Sequence, residues 1–102
     1  MKKEIKRLIE KKLFDKNLAQ DWQTLISVYY ESVKDTAKGV VLKCRYFEKQ
    51  NYWRCLKELK KIRVFCETTN FYRLVEEIIN DILLMACYER FINPYELLNK
   101  ER

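Results

Sequence analysis

Four cysteines, Cys44, Cys55, Cys66 and Cys87, and no histidine are the starting inventory for metal or nucleophile chemistry. Structural zinc wants four converging ligands, usually from two tight pairs such as C-x2-C. These cysteines are spaced 11, 11 and 21 apart, so no tight pair exists. Each falls on the apolar face of a helical repeat, where a free thiol behaves as a small hydrophobe. The expectation is core thiols, with no metal and no cofactor. Without imidazole the commonest general base is missing and a Cys–His nucleophile is excluded. A single glycine leaves no phosphate-cradling loop. Glu76 and Glu77 are neighbours, so on a helix they diverge by about 100° and cannot form a converging pair. Asp81 and Glu89 lie near an apolar face, with Arg63 as a candidate ion-pair partner for Glu89. The simpler reading puts both carboxylates near helix ends, in solvent. No enzymatic activity is expected.

The remaining chemistry is charge and aromaticity. "KCRYFEKQNYWRCLKELKKIRVFC", residues 43–66, holds three cysteines, five aromatics and eight basic residues. Net charge over the whole chain is +6. It is unevenly spread: residues 1–16 and 43–63 are strongly basic, and 64–102 are mildly acidic. Such asymmetry suggests a polyanionic partner. On a helix from 52 to 66 the polar arc is Arg54, Lys57 and Lys61, with Glu58 at its edge. Trp53 lies beside that arc, about 130–150° from the core centre and one turn from Lys57. Lys43, Arg45 and Lys49 add charge upstream, with Tyr46 between them. A basic ridge with an aromatic platform is what phosphate neutralisation and base stacking require. The competing reading is a solvated helix face, with Trp53 packed on the first helix.

These residues need elements to hold them. One Gly and one Pro argue against the turns a sheet needs. Ala, Glu, Lys, Leu and Arg make up 47 of 102 residues, near the share expected of long helices. Ile5, Leu8, Ile9 and Leu13 predict a short amphipathic helix over 2–14. Asn17 with Gln20 reads as a capping box. A stripe of Leu18, Trp22, Leu25, Ile26, Tyr29, Val33, Ala37, Val40, Cys44 and Phe47 then holds one face, predicting one long helix over about 18–49. The alternative is a break at "KDTAKG", with Gly39 as a C-cap. Asn51 caps the next helix, whose core face is Tyr52, Cys55, Leu56, Leu59, Ile62 and Cys66. Thr69 or Asn70 starts a central hydrophobic helix over about 71–92. Its first half is amphipathic. Its second half adds Leu84, Cys87, Tyr88 and Phe91 on the back, which suggests burial on both sides. Asn93, Pro94 and Glu96 restart a last helix. The whole, 1–102, reads as one all-α domain of four to five helices.

Residues 40–62 resemble one tetratricopeptide unit, with Leu42, Tyr46, Cys55, Leu59 and Ile62 at that motif's large, aromatic and small positions. Gly39 stands where the motif has Trp, and Lys43 where it has Gly. The resemblance spans about a quarter of the chain, and no second copy follows at the 34-residue period that an array needs. It therefore implies two antiparallel helices rather than a repeat protein.

The expected function is non-catalytic binding along a nucleic-acid backbone, RNA or single-stranded DNA, as a subunit of a larger ribonucleoprotein. The small helical subunits of CRISPR effector complexes are comparable in size, charge and helicity. The alternative is a protein–protein adaptor or inhibitor that uses the apolar back of residues 83–92, Leu84, Tyr88 and Phe91, for a partner or for self-association. A third is association of residues 1–14 with an anionic membrane surface. No run of 18 apolar residues exists, so no integral membrane span is expected. The amino terminus lacks the apolar run of a signal peptide. A cytoplasmic location with reduced thiols follows.

Overall fold

Buried apolar residues at helical spacing build every element, and no strand occurs among the residues described. The computed structural model describes residues 3–89. The order is α1 (Lys3–Phe14), α2 (Gln20–Val33), α3 (Ala37–Val41) running into a π-helical turn (Leu42–Phe47), α4 (Tyr52–Lys61) and α5 (Thr68–Tyr88). The predicted all-α bundle is thus observed. The predicted last helix, from Asn93, lies outside the described residues.

Helix α5 is the spine, and α1, α2 and α3 all pack against it. Its inward side is Phe71, Val75, Ile78, Ile79, Ile82, Leu83 and Ala86. Helix α1 offers Ile5, Ile9 and Leu13, one residue per turn. An ion pair from Lys6 to Glu76 fastens its solvent edge to α5. Helix α2 contributes Trp22, Leu25, Ile26 and Tyr29. The Asn17 capping box does not form: α2 starts at Gln20 behind Ala19, with no side-chain cap.

The long helix predicted over 18–49 is not formed. It is divided at Lys34–Thr36, three residues ahead of the glycine thought able to end it. Thr36 competes with the helix for backbone groups, as short hydroxyl side chains do. Its N–H donates to the Val33 carbonyl at 2.9 Å. Its hydroxyl donates to the same oxygen at 2.6 Å and accepts the Gly39 N–H at 3.4 Å as the N-cap of α3. Gly39 lies inside α3 and is not a C-cap. It is pressed against the end of α2, and a Cβ there would stand 2.5 Å from Lys34 Cα and 2.7 Å from the Val33 carbonyl carbon.

The π turn completes the departure. Glu48 N–H donates to the Lys43 carbonyl at 2.9 Å, five residues back. The wider turn brings Val41 and Tyr46, also five apart, to one buried face. Phe47, predicted inward by the 3.6 period, is turned out and exposed. Tyr46, predicted to lie among exposed basic residues, is only 1% exposed.

The hairpin that follows is built as expected at its start. Asn51 accepts the Arg54 N–H at 2.9 Å and caps α4. Cys55 and Leu59 face inward. The helix stops at Lys61 rather than 66, because Arg63 adopts φ 63°, the left-handed conformation that ends many helices. Ile62, expected in the core, is exposed.

Candidate nucleic-acid interface

With Cys55 and Leu59 turned inward, helical geometry sends Trp53, Lys57 and Lys60 outward on one stripe, four and then three residues apart. Arg54, Glu58 and Lys61 form the neighbouring stripe. There the charges are tied together: Arg54 Nη2 lies 3.3 Å and Lys61 Nζ 3.0 Å from the same Glu58 oxygen. The hydrogen bond from Lys61 holds the Glu58 carboxyl below the usual carboxylate range. Lys57 and Lys60 are exposed and enter no ion pair among the described residues. Lys60 was not singled out by sequence reasoning, although its spacing of seven from Trp53 would have identified it.

Trp53 is 74% exposed. It does not pack on α1. Its ring meets that of Tyr52 at 5.3 Å and 64°. Tyr52 in turn lies parallel to Tyr72 of α5, at 6.4 Å and 4°. The buried Phe71 stands nearly perpendicular to both, 4.9 Å from Tyr52 and 5.2 Å from Tyr72. Tyr72 itself is 48% exposed. Nothing in the local pattern marks it as a site residue, because the contact spans the α4–α5 turn.

The upstream candidates divide. Lys43 is exposed and lines one shallow cleft with Lys34, Glu48, Arg54 and Glu58. Lys49, exposed and at φ 53°, belongs to another cleft, at the α1–α2 corner with Lys12 and Lys16. Its Nζ donates to the Phe14 carbonyl at 3.4 Å. Arg45 is half-buried. Its guanidinium lies over the rings of Tyr46, at 5.4 Å, and Tyr72, at 5.8 Å. Burial lowers its pKa, but the Tyr46 hydroxyl and nearby negative groups outweigh that and leave it raised. Tyr46 is withdrawn from the surface site. Its hydroxyl donates to Glu10 at 2.7 Å, and burial, then that carboxylate, push its own pKa up. It braces Arg45 from below.

Cys44 and Cys55 are buried free thiols. Burial raises both thiols, Cys55 to about 12. Cys66 and Cys87 are half-buried. Among the described residues no group of three or more Cys, Asp or Glu converges as metal ligands. Asp81 lies in the body of α5, two turns from its end rather than near it, and is half-buried. It accepts from the Tyr29 hydroxyl at 2.7 Å and from Lys38 at 2.9 Å. Arg63 and Glu89 are both exposed and do not pair. Leu84 and Tyr88, one turn apart on α5, are 63% and 86% exposed; Phe91 lies outside the described residues. Among the described residues no helix is long and apolar enough to cross a membrane.

Comparison with known proteins found no family model, no curated sequence and no solved structure that matches the chain.

Proposed function

We propose that this chain is a non-catalytic nucleic-acid-binding protein, whose α4 lies along a phosphate backbone, and that it works as a subunit of a larger ribonucleoprotein. One observation supports this above the rest. The outward stripe of α4 sets an exposed indole one turn from Lys57 and two from Lys60, and neither lysine is committed to a carboxylate of the described fold. The one acid of the helix, Glu58, is already occupied by Arg54 and Lys61. Phosphates would therefore meet free positive charge first at Lys57 and Lys60. Arg54 and Lys61 would have to exchange partners before contributing.

The test is anisotropy of a labelled oligonucleotide at several salt concentrations. Each phosphate neutralised on a single strand contributes about 0.7 to the slope of log affinity against log salt. Lys57→Ala with Lys60→Ala should therefore flatten the slope by about 1.4, with the fold intact, because both side chains are exposed. An unchanged slope, or no binding at about 100 μM protein, the weak end of non-specific affinity, overturns the reading. The exposed Leu84 and Tyr88 favour a second reading, an adaptor or inhibitor that docks a protein on that part of α5. If nucleic acid fails to bind, Leu84→Glu should abolish partner capture without unfolding the monomer.

A further inference from the structure

Resting on the backbone-binding reading, we propose that the ligand is a single strand, whose bases stack along a track of rings running from Trp53 through Tyr52 to Tyr72 and ending at Arg45. Scattered surface aromatics need no explanation, but a contiguous run does. Here Trp53 touches Tyr52, Tyr52 parallels Tyr72, and Tyr72 lies beneath the Arg45 guanidinium. The run joins three separate segments of the chain: the π turn, the first turn of α4 and the first two turns of α5. It is rigid for a surface feature. Phe71, wholly buried, stands against both tyrosines. The Tyr52 hydroxyl lies 3.1 Å from that of Thr68. Arg45 is held between two rings.

Spacing and charge select the ligand. Ring centroids are separated by 5.3 Å and 6.4 Å, well beyond the rise of about 3.4 Å in a stacked strand. Bases seated on these rings must be pulled apart from one another. A single strand allows that, and every base offers a π-face to an aromatic side chain. A duplex presents only base edges in its grooves, so it would engage the lysines alone. Basic residues outnumber acids along the rim: Arg45 stands at one end and Lys57 and Lys60 beyond Trp53 at the other, with Glu67 in the cleft beside Lys60. Glu76, four residues along α5 from Tyr72, is matched by Lys6. An apolar or proline-rich peptide would use the same rings but not this charge.

The experiment uses the full chain with labelled oligo(U), oligo(dT) and a mixed-sequence duplex of equal length. Two tryptophans exist; Trp22 is buried and Trp53 exposed. Stacking should therefore quench emission from Trp53, and Trp53→Phe should remove most of that signal. Trp53→Ala and Tyr72→Ala should each weaken single-strand binding about 5- to 150-fold, while duplex binding stays unchanged. Their melting curves check that both variants fold, and the exposure of Trp53 makes it the safer of the two. Equal affinity for strand and duplex, unmoved by either variant, overturns the track but leaves backbone binding standing. Loss of all binding by the wild type overturns both. Quenching by a polyproline peptide and not by oligonucleotides overturns the track in favour of a peptide groove.

Discussion

Gly39→Ala tests the corner on which this fold depends. In an unobstructed helix, replacing an interior glycine by alanine stabilises by about 0.5–1 kcal/mol, because less chain entropy is lost. Here the new methyl would stand 2.5 Å from Lys34 Cα and 2.7 Å from the Val33 carbonyl carbon, and the Val33 oxygen lies closer still. All three obstacles are backbone, so no side chain can rotate away. The angle between α2 and α3 would have to open. That would draw Val41 and Leu42, both fully buried, away from α5 and α4. Overpacking of this kind costs about 1–3 kcal/mol, occasionally more. The upper end applies, since the shift needed approaches an ångström. Against the propensity gain, the net should be a destabilisation of about 2 kcal/mol. For a domain of this size that is a fall of about 10 °C in Tm. The assay is urea and thermal unfolding followed by circular dichroism at 222 nm. A variant more stable than wild type would refute the argument. It would mean that α2 and α3 form the continuous helix the hydrophobic stripe suggested, in which Gly39 has room for a side chain.

Two further outcomes follow from the buried groups. Cys66 and Cys87 should react with a thiol reagent in the native state near pH 8, and Cys44 and Cys55 should react only on unfolding. Zinc and chelators should leave Tm unmoved, and a metal-dependent shift of several degrees would show a ligand set instead. Burial raises Cys44, Cys55, Tyr29 and Tyr46 above their ordinary values of 9.0 and 10.0. The fold therefore favours their neutral forms, and the stability so gained is fully present below about pH 9 and lost as pH rises toward the folded values. Tm should fall between pH 9 and 11, and a flat profile there would show that these groups titrate as they do in the unfolded chain.

What the sequence revealed and what it hid have separate physical causes. Helices α1 and α5 were legible because each buries a single stripe at the ordinary helical period, and α4 because Asn51 announces its start. The division of 18–49 falls within "KDTAKG", the alternative break, but the stripe keeps its phase across Lys34–Thr36, so periodicity favoured one continuous helix. The local signs were a threonine able to cap and a glycine three residues later, and both fit a continuous helix equally well. Only the approach of two backbones distinguishes them. The π turn was hidden for a related reason. Five-residue spacing between Val41 and Tyr46 is invisible to a search at 3.6, so the inward and outward roles of Tyr46 and Phe47 were exchanged. That error reaches the candidate site. The basic ridge of α4 needs only its own helix and could be read directly. The ring track needs Tyr72, twenty residues beyond Tyr52 and joined to it by packing on Phe71. It also needs Arg45 placed between Tyr46 and Tyr72. The wide turn that buries Tyr46 holds its neighbour's guanidinium against the exposed Tyr72, so a local irregularity in the backbone extends the aromatic surface beyond what α4 alone provides.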